Sequence, residues 1–163
     1  MSNIIYKEKI KTPFILTSVY LIIIVFLLVL IFSPEKLNLR SLGLLMNILF
    51  LLVVFINLLL FWSFSSLKIY LTSDYLQVNF GIFKKRFLKN QFKTVIIEDF
   101  DFKEWRSYGI RLGKNNTLGY IAPAKQGLRL KVQPKDYFIC TNNPQQLKEL
   151  MEKNLMANNY AKD

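Results

Sequence analysis

Two uncharged, strongly apolar stretches, residues 14–32 and 41–67, constrain this chain more than any other feature. The first contains the aliphatic run 21–31; over residues 42–61 the second offers little polarity beyond Gly43, Asn47 and Asn57. A helix crossing a hydrocarbon core needs about 20 residues, and each stretch supplies that length. Residues 33–40, with Pro34 as helix breaker, read as a short turn, so the expected unit is an antiparallel membrane hairpin with spans at about 13–32 and 42–64. A cleaved signal fits less well, because signal cores run to about 7–15 residues and no small-x-small site follows Ile31. Two helices of a soluble bundle would each need a polar face, which neither stretch provides.

Charge sets the expected orientation. Lys7, Lys9 and Lys11 precede the first span, Lys36 and Arg40 are partly offset by Glu35 in the turn, and Lys68 opens a basic region after the second. The positive-inside rule then places both termini in the cytoplasm of a multi-pass inner-membrane protein with the lipid bilayer as partner, and Trp62 at headgroup level. Asn47 and Asn57 stand ten positions apart, about 80° short of three full turns, so they do not share a face. Each reads as one helix–helix hydrogen bond rather than as a polar path.

Composition excludes several chemistries. The 163 residues carry 22 basic and 11 acidic side chains, a net charge of +11, with no His and one Cys, Cys140. An internal disulfide is impossible, and thiolate zinc sites and His-dependent catalysis lack their groups. No cofactor is expected.

From Lys68 onward the period changes from helix to strand. Leu76, Val78 and Phe80 alternate with polar residues, the mark of a half-buried strand. Strands are predicted over 68–72, 75–80, 82–88, 94–100, 108–112, 117–122, 127–133 and 137–141, with turns at 73–74, 113–116 and 134–136. Short strands at this spacing suggest a small barrel or sandwich. A helix closes the chain: Asn143 is placed to cap it, Pro144 to open it, Gln146 sits three residues after the cap, and Leu147, Leu150, Met151 and Leu155 form one apolar stripe. The domains expected are a hairpin at 1–67, a β domain at 68–158 and a tail at 159–163.

This arrangement resembles the bacterial membrane proteins with a PH-like (pleckstrin-homology-like) domain. The residues that carry the resemblance are Ile69-Tyr70-Leu71-Thr72-Ser73-Asp74-Tyr75-Leu76-Gln77-Val78 with Gly81-Ile82-Phe83, then Tyr108-Gly109-Ile110-Arg111, Gly127-Leu128-Arg129-Leu130 and Tyr137-Phe138-Ile139-Cys140-Thr141-Asn142-Asn143-Pro144. It covers roughly 68–155 and implies a membrane α-helical hairpin plus a small all-β PH-like barrel or sandwich closed by one C-terminal helix. It brings no catalytic motif.

Candidate sites are few. Lys84, Lys85, Arg86, Lys89 and Lys93 form a basic run with no acid between Asp74 and Glu98. Near an anionic leaflet each would contribute about 1 kcal/mol, so the run is the candidate anionic-lipid contact. The competing reading is a charged strand edge. Trp105 and Tyr108 are the candidate partner contact, with core packing as the plainer alternative. Glu98, Asp99, Asp101 and Glu104 alternate with Phe100 and Phe102 and lack a calcium-loop pattern, so they read as the wet side of a strand rather than a metal or acid–base site. Nucleic acid is not expected, since a membrane tether disfavours it and barrel strands need aromatic residues anyway. The expected function is a non-enzymatic binding or scaffolding module at the cytoplasmic membrane face, contacting anionic lipid, a membrane protein or a second copy of the chain. The alternative is an auxiliary subunit of a membrane enzyme or transporter.

Overall fold

The computed structural model describes residues 3–12, 14–32, 44–132 and 134–156. They fall into two compact units, Met1–Thr12 with Ser66–Asp163, and Pro13–Ser65. The first unit holds two sheets. One is four-stranded in the order β1 (Ile4–Lys11), β2 (Ser66–Thr72), β3 (Tyr75–Phe80), β4 (Phe83–Leu88), antiparallel throughout. The other runs β5 (Phe92–Asp99), β8 (Gln126–Val132), β9 (Tyr137–Thr141), β7 (Leu118–Ile121), β6 (Gly109–Leu112), with β7 and β9 parallel.

Strand alternation builds the core. Leu67, Ile69 and Leu71 of β2 and Leu76, Val78 and Phe80 of β3 point to one face and are almost fully buried. Leu128, Leu130, Phe138 and Ile139 of the second sheet are buried as completely. The sheets meet where the Phe87 and Tyr137 rings pack edge to face with centroids 4.7 Å apart. Helix α4 (Pro144–Met151) opens with Pro144 in its first turn and packs on β5, β8 and β1 through Leu147 and Met151, both fully buried, with Leu155 beyond them. Leu150, from the same predicted stripe, is only half-buried. The cap also differs from expectation: the Asn143 side chain makes no capping bond, and the Thr141 hydroxyl accepts the Asn143 N–H at 3.2 Å.

Every strand predicted from Lys68 onward is present, but the sheets do not close into a barrel. A 3-10 turn at Lys89–Gln91 separates β4 from β5, and the two strands end in different sheets. β4 is therefore an edge, and its charges suit an edge. The PH-like barrel expected from the resemblance is thus corrected to two open sheets with short helices.

The membrane assignments are corrected as well. Helices α1 (Phe14–Phe32) and α2 (Leu44–Phe64) form, and within their unit Tyr20 packs edge to face on Phe61 at 6.4 Å. Among the described residues, however, no helix is long and apolar enough to cross a membrane. The two expected spans, the transmembrane class and the multi-pass inner-membrane location fall with that finding. The turn 33–40, the Asn47 side chain and the tail 159–163 lie outside the described residues. The Asn57 Nδ2 donates to the Val53 carbonyl one turn back on its own helix, at 2.9 Å. Both helices expose large apolar side chains, among them Leu21, Ile22, Phe26, Phe55 and Trp62.

Candidate functional site

Strand β1 has no counterpart in the sequence-based expectation, which treats Lys7, Lys9 and Lys11 only as charges beside a helix. In the structure it pairs with β2 along its length, Lys11 opposite Ser66, so the chain leaves the sheet and returns to it at neighbouring positions. Tyr6, Glu8 and Ile10 face the core and Lys7, Lys9 and Lys11 face out. The inward carboxylate is fully engaged. Glu8 accepts from the Tyr6 hydroxyl at 2.8 Å, the Thr141 hydroxyl at 2.6 Å and the Asn142 N–H at 2.8 Å. Burial first, then the bond to Glu8, raises the Tyr6 phenol above its ordinary pKa of 10.0.

Adding β1 changes the charge of the four-stranded sheet's outer face. Its register aligns Lys9, Lys68, Asn79 and Lys84 in one row across all four strands, and Lys7, Tyr70, Gln77 and Arg86 in the next. The four strand sequences contain one acid, Glu8, and it points inward. Lys9 and Lys68 stand directly opposite each other, an arrangement that costs stability in an antiparallel pair.

Of the basic run singled out in the sequence, Lys84 and Arg86 lie on this face. Lys85 points to the other side of β4, its ammonium 6.0 Å from the Phe87 ring centre and 5.7 Å from that of Tyr137. Lys89 is half-buried in the 3-10 turn, and Lys93 is exposed on β5 of the other sheet. The five charges are thus not one patch. Lys7, Lys9 and Lys68 complete the face, and sequence reasoning passes over them because β1 is separated from β2 by the whole of α1 and α2. The alternation of Tyr6 and Ile10 with the lysines was the available signal, and Glu8 at a core position obscures it.

A cleft of about 280 Å³ opens on this face, lined by Ile4, Tyr70, Thr72, Tyr75, Gln77, Asn79 and Arg86. Arg86 makes two contacts on this face: its Nε donates to Gln77 Oε1 at 2.6 Å and its guanidinium carbon lies 4.9 Å from the Tyr75 ring centre. Asn79 is 7% exposed, and its Oδ1 has no hydrogen-bond partner among the described residues. Two larger clefts, about 550 and 540 Å³, lie beside the start of α4 and beside the short helix α3 (Phe102–Trp105). No residue lining either of them is among those with an unpartnered buried side-chain polar atom.

The remaining candidates serve the fold. Trp105 is 3% exposed and stacks on Phe138 with ring centres 5.2 Å apart; Tyr108 is half-buried and stacks on Phe100 at 6.5 Å. Glu98 accepts from Arg129 Nε at 2.7 Å, and Asp99 from Gln126 at 2.9 Å. Asp101 caps α3 by accepting the Lys103 N–H, and Glu104 accepts the Lys114 N–H at 3.2 Å. Each acid of that cluster thus has a structural bond. Burial pushes the Cys140 thiol up to about 11, which opposes nucleophilic use.

Comparison of the chain with family models, curated proteins and solved structures finds no match. The resemblance to PH-like membrane proteins therefore has no family match behind it, and the open sheets and the helices speak against it.

Proposed function

We propose that the protein is a non-enzymatic binding module that engages an anionic lipid surface through the outer face of its four-stranded sheet. The observation that carries this reading is the pair of in-register rows placing Lys7, Lys9, Lys68, Lys84 and Arg86 on one face whose strands point no carboxylate outward. Like charges directly opposite one another cost folding energy, and an anionic partner recovers it. At about 1 kcal/mol per basic residue near a charged leaflet, five contacts set a ceiling of about 5 kcal/mol, or a dissociation constant no tighter than about 0.2 mM. Exposed Ile82 in the β3–β4 turn adds an apolar side chain beside this face, suited to the headgroup–acyl boundary.

Binding of the full chain to phosphatidylglycerol–phosphatidylcholine mixtures and to phosphatidylcholine alone tests the proposal. The anionic mixture should bind more tightly, the difference should vanish toward 1 M salt as the Debye length falls to about 3 Å, and Lys68→Glu with Lys84→Glu should abolish it. Equal binding to both lipids refutes the proposal. So does salt-dependent co-purification with an acidic protein in the absence of any lipid preference.

A further inference from the structure

We infer that the free edge of β6 and the cleft beside it form a docking surface for an extended acidic segment of another protein, in which acidic and apolar residues alternate. The surface belongs to the five-stranded sheet and is separate from the lipid-facing one. β6 is the last strand of that sheet, paired with β7, and among the described residues no strand lies beyond it. The Gly113 N–H donates to the Thr117 carbonyl at 2.8 Å, so Gly113 and, at intervals of two, Arg111 and Gly109 turn their main-chain groups to β7. The Leu118 N–H points away from β6, to the Asp136 carbonyl at 3.0 Å, as its place opposite Leu112 requires. Ile110 and Leu112 therefore present N–H and C=O groups to the open side. A strand added at the edge pairs such groups, whereas a lipid headgroup or a polyphosphate has no matching ladder.

Charge on one side of the edge selects the added strand. Gly113 and Gly119 share the side of Arg111 in the register, and a Cβ at either glycine would meet the Trp105 ring, so Arg111 stands on the side that α3 covers. The cleft of about 540 Å³ there is lined by Lys103, Arg106, Arg111 and Lys114. None of the four pairs with a carboxylate among the described residues. Glu104, the one acid in the lining, lies 3.8 Å from Arg129 and accepts the main-chain N–H of Lys114 at 3.2 Å. Arg111 makes two contacts in the wall, from Nε to the Tyr108 carbonyl at 3.1 Å and from Nη2 to Ser107 Oγ at 3.0 Å. Arg106 ends α3 at φ 59°, a left-handed conformation uncommon for a residue with a Cβ. On the other side of the strand, by alternation, stand Ile110 and Leu112, the latter 64% exposed. Side chains of an added strand fall on these two sides in turn, so it meets cations at every second residue and apolar surface between them. A second copy of this chain does not supply such a segment, because Glu98 is bonded to Arg129, Asp99 to Gln126, and Asp101 caps α3.

The test titrates the full chain, in mild nonionic detergent, into the fluorescein-labelled peptide Glu-Val-Glu-Val-Glu-Val-Glu and follows anisotropy. A block isomer, Glu-Glu-Glu-Glu-Val-Val-Val, keeps the charge and removes the alternation. The alternating peptide should bind about fivefold more tightly than the block isomer, the factor one net hydrogen bond supplies. Arg106→Gly should weaken it about threefold, the scale of one exposed ion pair, and circular dichroism should show the fold intact because glycine suits that left-handed position. Lys84→Glu, which removes more positive charge but lies on the other sheet, should leave the affinity unchanged. Equal binding of the two isomers overturns strand addition. A loss in Lys84→Glu as large as that in Arg106→Gly overturns the cleft as the site, and no binding of either peptide overturns the surface altogether. Displacement of the alternating peptide by heptathymidylate at lower concentration than by its own unlabelled form would make this a nucleic-acid surface and overturn the peptide assignment.

Discussion

Removing the Glu8 carboxylate should detach β1 from the core. In Glu8→Ala three donors lose their acceptor together: the Tyr6 hydroxyl, the Thr141 hydroxyl and the Asn142 N–H. Leaving a buried donor unpaired costs about 1–3 kcal/mol. The two hydroxyls can rotate to recover part of that, whereas the main-chain N–H has a fixed direction. Against the loss stands relief from burying a charge that has no cation beside it among the described residues, itself worth several kcal/mol. The balance is a destabilisation of about 3 kcal/mol, or a fall in Tm of roughly 12–24 °C for a domain of this class. Glu8→Gln should cost only about 1 kcal/mol, because its oxygen still accepts from Asn142 and its amide donates to whichever hydroxyl turns to receive it. Thermal unfolding of the full chain in mild detergent, with hydrogen exchange at β1 amides, measures both variants. Equal losses for Ala and Gln, or unchanged exchange along β1 in Glu8→Ala, would refute the argument that this network anchors the strand.

Four further outcomes follow from the same packing. Gly119→Ala should cost about 2–4 kcal/mol in chemical denaturation, because a Cβ there would clash with Trp105 Cζ3 and that ring is stacked on Phe138. Met151→Asp should unfold the sheet unit, measured by loss of β circular dichroism, since α4 would drive an unpaired charge into a fully buried position. Stability should fall between pH 9 and pH 11: the folded state holds the Cys140 proton to about 11 whereas the unfolded thiol releases it near 9.0, a loss of roughly 3 kcal/mol that Cys140→Ala removes from the denaturation profile. Lys9→Glu should raise stability by about 0.5–1 kcal/mol at low salt, by turning a like-charge pair with Lys68 into an opposite one, while weakening binding to anionic lipid.

Strand order from Lys68 to Thr141 was legible in the chain itself. Period-two alternation is a local property, and residues such as Leu76, Val78 and Phe80 declare it without reference to anything distant. The closing helix was equally local, with Pro144 at its start and Leu147, Met151 and Leu155 on its buried stripe. Apolar run length also located α1 and α2, but a hydrophobicity count carries no information about what covers such a helix. What only the tertiary structure decided was pairing. Nothing within Ile4–Lys11 says that Lys9 will stand opposite Lys68, because the register is set by a partner strand on the far side of two helices. Nothing in the local sequence marks Glu8 as a core residue, since its donors include Thr141, 133 residues along the chain, and only folding brings them within hydrogen-bond reach. The closure of the sheets was undecided for the same reason, as a three-residue turn between β4 and β5 sends consecutive strands into different sheets. The candidate site inherits this division: Lys84 and Arg86 could be named from a charge run, whereas Lys7, Lys9, Lys68 and Asn79 join them only through a register that long-range packing selects.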